Sequence, residues 1–79
     1  MLEFHLFTKA NCPLCTEALL LLHSLPLEQP IELRVVDIAS EPELQAEYGW
    51  LVPVLYRALD DEELRWPFTA AEAEEFVQS

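Results

Sequence analysis

The chain has 79 residues, 52% of them hydrophobic, and carries fifteen acidic residues against four lysines and arginines for a net charge of −11. That length makes one domain, residues 1–79, near the lower limit for a self-sufficient core, and the apolar fraction makes such a core attainable without metals or structural bridges. The charge argues against nucleic acid, because few cations are available to neutralise phosphates, and it equally disfavours anionic membranes. The longest apolar run, residues 18–22, is too short to cross a bilayer, and residues 1–4 enter a strand pattern with no basic region or cleavage site. The expectation is a soluble, cytoplasmic, monomeric protein whose partners by electrostatics are basic. In that compartment paired cysteines serve catalysis more often than structure.

Residues 2–7 alternate as a strand, with Leu2, Phe4 and Leu6 on one face and His5 on the other. Residues 8–11 then form a loop that delivers Cys12-Pro13-Leu14-Cys15, which holds the only two cysteines. Read as a helix start, Cys12 takes the N-cap, Pro13 takes N1, and Leu14 and Cys15 take N2 and N3. Proline suits N1 because its φ is already helical and its missing N–H would have had no partner there. An N-cap acceptor receives hydrogen bonds from N2 and N3, and a thiolate in that place is stabilised by those donors and by the helix dipole. Such positions lower a cysteine pKa from about 8.5 into a range of ~3.5–7.5. Cys12 therefore reads as a nucleophile. Lys9, three residues earlier, either adds to thiolate stabilisation or faces solvent.

Cys15, one turn on, points to the same side as Cys12 and lies close enough to close a disulfide with it. That fits attack, mixed disulfide, then displacement by the second thiol. A purely structural bridge is the first alternative, but closing so short a loop removes little chain entropy. A zinc half-site is the second, and it lacks ligands: only His5 and His23 remain, neither at finger-like spacing.

The helix is predicted over residues 13–25, stopped by Pro26, with Leu14, Ala18, Leu21, Leu22 and Leu25 forming an apolar stripe that Leu19 and Leu20 widen. Residues 31–37 read as a second strand, so strand, helix and strand at this length imply a parallel βαβ unit. Ser40-Glu41-Pro42-Glu43 has capping-box form and opens a short helix to Tyr48, ended by Gly49, with Leu44 and Tyr48 inward and Glu41, Glu43 and Glu47 outward. Val52-Pro53 leads into a third strand at residues 54–57, and a turn at residues 58–61 implies an antiparallel hairpin to a fourth strand at residues 62–66. Pro67 ends that strand. Thr69-Ala70-Ala71-Glu72 is a second capping box, opening a last helix, with Phe68 and Ala73 placed as a hydrophobic staple.

Cys12-Pro13-Leu14-Cys15 after a first strand, Val52-Pro53 before a third, and this element order resemble the glutaredoxins of the thioredoxin superfamily across essentially the whole chain. The residues Asp37-Ile38, Pro42-Glu43-Leu44, Tyr48-Gly49 and Val52-Pro53-Val54-Leu55 resemble more closely a family of small bacterial glutaredoxin-like domains. The resemblance implies an α/β thioredoxin-like fold, βαβαββα, with a four-stranded mixed sheet ordered 2-1-3-4 and helices on both faces. It implies Cys12 as attacking thiol, Cys15 as resolving thiol and a cis Val52–Pro53 bond. The Val52 backbone could then offer its N–H and C=O to an extended substrate, like an added strand edge. Candidate substrate contacts are thus Lys9, Pro13, Leu14, Val52 and Pro53, with Trp50, Leu51, Trp66 and Phe68 as a candidate apolar rim.

Members that use glutathione carry a Gly-Gly turn after the fourth strand, which holds a glutathione carboxylate through backbone N–H groups. This chain has Arg65-Trp66-Pro67-Phe68-Thr69 there, without glycine, and Pro67 lacks a donor. The helix start at Thr69 would still offer N–H groups to an anion, with Lys9 and Arg57 to assist, while the negative surface opposes an anion's approach. No tightly bound cofactor is expected, and efficient use of glutathione as reductant is not expected. The expected activity is thiol–disulfide exchange on protein or small-molecule disulfides, served by a reductase or glutathione system. The alternatives are a metal or iron–sulfur module, since two thiolates per chain give four per dimer, and a non-catalytic interaction domain.

Overall fold

In the computed structural model, which describes residues 2–78, strand β1 (Glu3–Thr8) runs through the interior of the sheet. On one side it pairs in parallel with β2 (Glu32–Asp37), and on the other it pairs antiparallel with β3 (Val54–Arg57). Strand β4 (Glu62–Arg65) adds antiparallel to β3, so the order is 2-1-3-4 as expected. The helices are α1 (Pro13–His23), α2 (Pro42–Tyr48) and α3 (Ala70–Gln78), with a 3-10 turn, Ile38–Ser40, before α2.

The core has two layers. Phe4, Leu6 and Leu55 on one sheet face meet Ala18 and Leu22 of α1 and Ala73 and Val77 of α3. Phe7 and Val54 on the other face meet Ile38 and Tyr48. The register explains the division: Leu6 is opposite Leu55 and Phe7 is opposite Val54, and successive residues of a strand point to opposite faces. β1 is therefore apolar on both faces, unlike the one-sided alternation read from residues 2–7 alone. His5 does lie away from Phe4 and Leu6, beside Tyr56 with ring centroids 5.5 Å apart.

Helix α1 ends at His23, earlier than residue 25, because Ser24 caps it: its N–H reaches the Leu20 and Leu21 carbonyls at 3.2 and 3.1 Å. Its buried stripe is Cys15, Ala18 and Leu22. The expected inward placement of Leu14 and Leu20 is wrong, for they are 47% and 66% exposed. Leu20 lies two residues past Ala18, about 200° around the helix, and in the first turn Cys15 takes the inward position beside Leu14.

The capping box at Ser40 does not form. Asp37 accepts from the Ala39 N–H at 2.9 Å and starts the 3-10 turn, and the Ser40 hydroxyl donates back to the Asp37 carbonyl at 2.8 Å. Glu41 becomes the N-cap of α2 without a side-chain hydrogen bond. Gly49 follows α2 with right-handed helical dihedrals, and glycine is needed there for space: a Cβ would stand 2.7 Å from the Gln45 carbonyl oxygen. Leu44 and Tyr48 face inward and Glu41, Glu43 and Glu47 outward, as expected.

Tyr48 is buried and donates its hydroxyl to Glu63 of β4. Burial first, then the carboxylate, push its pKa well above the ordinary tyrosine value. A raised folded-state pKa means stability that is complete below the unfolded value of about 10 and is lost as pH climbs beyond it. The thermal midpoint is thus expected to fall between pH 10 and 12 in the native chain and to fall less in Tyr48→Phe, as read by circular dichroism at each pH.

Candidate thiol–disulfide site

Asn11, with φ of 57°, turns the chain immediately before Cys12, a left-handed position that asparagine tolerates. Cys12 then takes an extended conformation as the N-cap of α1, and Pro13 follows at the helix start. The Cys15 N–H donates to Cys12 Sγ at 3.2 Å, and the Thr16 N–H donates to the Cys12 carbonyl at 3.3 Å. This is the N-cap position read from the motif, with sulfur as acceptor; of the two donors expected, N2 and N3, it is the N3 group of Cys15 that reaches it. The two cysteines are joined as a disulfide, their Cα atoms 5.3 Å apart. Cys12 is partly exposed, whereas Cys15 is 5% exposed beneath it. Cys12 is thus the more exposed of the two sulfurs, and it lies at a helix N-terminus, whose partial positive charge favours a thiolate.

An open groove of about 560 Å³ lies against the pair. Lys9, Cys12, Pro13 and Cys15 line it, so four of the candidate site residues meet there. Thr8 at the end of β1 and Asn11 of the cysteine loop, with Thr16, Leu19 and Val35, complete its walls. Sequence reading missed these. Thr16 and Leu19 follow from the helical period once α1 is placed, but Val35 joins only through the parallel pairing that sets it opposite Leu6. Lys9 Nζ donates to the Gly49 carbonyl at 3.3 Å, tying the cysteine loop to the turn that precedes β3.

Leu14, Val52 and Pro53 do not line this groove. The Val52–Pro53 bond is cis, as the resemblance implied, and Pro53 is buried. The Val52 N–H, however, donates to the Tyr48 carbonyl at 3.2 Å, alongside the Leu51 N–H at 2.9 Å. The expectation that Val52 offers both backbone groups to a substrate is therefore corrected for the N–H, which is used within the chain. The cause is the helical course of the chain through Gly49, which carries these two N–H groups back over the end of α2. The Trp66–Pro67 bond is also cis, and nothing in the sequence separated Pro67 from an ordinary strand-ending proline. The apolar rim divides: Phe68 is core at 4% exposure, Leu51 and Trp66 are half-buried, and Trp50 is 97% exposed.

The capping box at Thr69 does form. The Thr69 N–H donates to Glu72 at 2.9 Å and the Glu72 N–H donates to the Thr69 hydroxyl at 3.1 Å. Two donors of that helix start are thus used within the chain, and the Glu72 carboxylate sits beside it. Arg57 does not assist either: it pairs with Asp60 at 2.9 Å, donates to the Phe76 carbonyl at 2.8 Å and lies 4.6 Å from the Phe76 ring centre. Removing the cap hydroxyl in Thr69→Ala is expected to cost about 1 kcal/mol, read from the urea midpoint. Among the described residues no group of three or more His, Cys, Asp or Glu side chains is placed to hold a metal ion. Among the same residues no helix is long and apolar enough to cross a membrane.

The chain superposes on the X-ray structure of Northeast Structural Genomics target protein XcR50 from X. campestris with a TM-score of 0.79, at 28% identity over 95% of each chain. The solution structure of the same target gives a TM-score of 0.77 at 28% identity, over 95% of this chain and 91% of that one. No match is found among curated proteins. The family model of the glutaredoxin-like domain (DUF836) matches residues 3–78, from the first residue of β1 to the last of α3. By that match, and by a thioredoxin-like sheet with a CxxC pair at the head of its first helix, the chain belongs to the glutaredoxin-like domain (DUF836) family.

Proposed function

We propose that the protein is a thiol–disulfide oxidoreductase working through Cys12 and Cys15 on protein or small-molecule disulfides, as a cytoplasmic monomer. One observation carries the reading: a reachable sulfur caps a helix N-terminus directly above a buried sulfur with which it forms a disulfide. The Cys12 thiolate attacks a substrate disulfide, one S–S bond breaks as another forms, and the first substrate thiolate leaves. Cys15, deprotonated, then attacks Cys12 Sγ, closes the internal disulfide and releases the second substrate thiolate. The substrate gains two electrons and the protein gives up two. An external thiol or dithiol reductant restores the pair.

The choice of reductant is tested by reducing the oxidised protein through two NADPH-coupled systems. One runs through glutathione and glutathione reductase, the other through thioredoxin reductase. The filled helix start at Thr69 favours slow turnover with glutathione, whose carboxylates meet Glu72 there. Fast turnover with glutathione alone would make the protein a working glutaredoxin that binds its reductant elsewhere. Unreactive thiols at neutral pH would sink the oxidoreductase reading itself.

A further inference from the structure

Trp50 is 97% exposed, yet it does not sit on a loose loop. The Gly49 N–H donates to the Gln45 carbonyl at 3.0 Å, the Gly49 carbonyl accepts from Lys9, and the N–H groups of Leu51 and Val52 both reach the Tyr48 carbonyl. Residues on either side are thus fixed, and the indole is held out in water one residue from the tether to the cysteine loop. Gly49 has helical dihedrals, φ −52° and ψ −31°, so the chain keeps its helical course past Tyr48. Glu43, Glu47 and Trp50, at i, i+4 and i+7, consequently fall on one side, turned away from the buried Tyr48. Both glutamates are exposed, and among the described residues neither enters an ion pair. A large exposed aromatic beside two unpaired carboxylates is complementary to lysine or arginine side chains, through cation–π contact and charge.

We propose that Trp50, with Glu43 and Glu47, forms the docking surface for a basic protein substrate whose disulfide reacts at Cys12. The inference rests on the oxidoreductase reading and adds the substrate class. The net charge of −11 steers such a partner toward the molecule. The Lys9–Gly49 hydrogen bond joins the turn that carries Trp50 to the loop that lines the Cys12 groove, so a partner held at Trp50 lies next to the residues that border Cys12.

The test uses chemically reduced protein, freed of reductant, and three disulfides: a synthetic peptide dimer with arginines flanking its cysteine, the same peptide with glutamates, and hydroxyethyl disulfide. Each single turnover closes Cys12–Cys15 and releases two thiols. Each rate constant is divided by that of the same disulfide with dithiothreitol, which removes intrinsic reactivity. The arginine peptide is expected to react fastest. Its advantage over hydroxyethyl disulfide should fall about fivefold in Trp50→Ala, return in Trp50→Phe, and become smaller and less salt-dependent in the Glu43→Gln/Glu47→Gln double variant.

A glutamate peptide as fast as the arginine peptide would overturn the proposal. So would a Trp50→Ala variant that slows all three alike, or a sedimentation profile showing that Trp50 is covered by a second copy of the chain. If the native protein reacts with none of the three, hydroxyethyl disulfide included, the oxidoreductase reading fails first and the docking surface falls with it.

Discussion

Cys15→Ser protein is expected to stall as a mixed disulfide at Cys12, and Cys12→Ser protein to lose disulfide exchange altogether. The asymmetry follows from position. Cys12 is partly exposed and caps α1, while Cys15 is 5% exposed and its own N–H already serves the Cys12 sulfur at 3.2 Å. In the native chain the proposed resolution would be intramolecular, between residues whose Cα atoms lie 5.3 Å apart. An external thiol at millimolar concentration replaces that partner slowly, so turnover should drop on the order of 10³-fold or more, given the effective concentrations of well-placed intramolecular groups. Mass spectrometry of the non-reduced Cys15→Ser protein after exposure to a disulfide should show one adduct, on Cys12. An adduct that forms instead on Cys15 in Cys12→Ser, at a comparable rate, would reverse the two roles.

Phe4→Ala carries the largest expected cost in stability. Phe4 is fully buried in the interior strand and sits against Phe76 of α3, ring centroids 6.0 Å apart, so its loss opens a cavity between sheet and helix. Truncating a buried phenylalanine costs about 3–5 kcal/mol. A chain of 79 residues has a total stability of roughly 4–12 kcal/mol at the usual per-residue value. The variant should therefore unfold at a much lower urea midpoint or fail to fold. Leu20→Ala, on the 66% exposed side of α1, should stay within about 0.5 kcal/mol of the native chain and serves as the control. Equal losses at the two positions would contradict the two-layer core.

The glutathione question changes character once Thr69 and Glu72 are seen together. At the level of sequence, the same four residues support two readings, a capped helix and a helix start open to an anion. The distances of 2.9 and 3.1 Å show the capped helix, which leaves fewer N–H groups for an anion. The pattern for a capping box also stands at Ser40, where it fails because Asp37 begins its own turn three residues earlier. Similar local patterns thus had opposite outcomes: the Thr69 hydroxyl accepts from the Glu72 N–H, whereas the Ser40 hydroxyl donates to the Asp37 carbonyl.

Short-range chemistry was legible from the chain itself. Cys12 as N-cap, Pro13 at the first helical position and Cys15 one turn on are facts of spacing, because a hydrogen bond over three residues is settled by local backbone geometry. The succession of strands and helices was legible for the same reason: period 2 and period 3.6 are properties of neighbouring residues. Residues far apart in the chain were another matter. That Val35 walls the cysteine groove depends on parallel pairing with β1. That Lys9 anchors to Gly49 depends on two loops forty residues apart arriving at the same end of the sheet. That Val52 has already spent its N–H, that Arg57 serves α3, and that Trp50 stands in water while Phe68 is buried were likewise decided by packing. Sequence determines which groups carry chemistry and the local conformation that arms them. Only the tertiary structure decides which are consumed by internal partners, because each donor and each apolar surface has finite capacity and the fold assigns it.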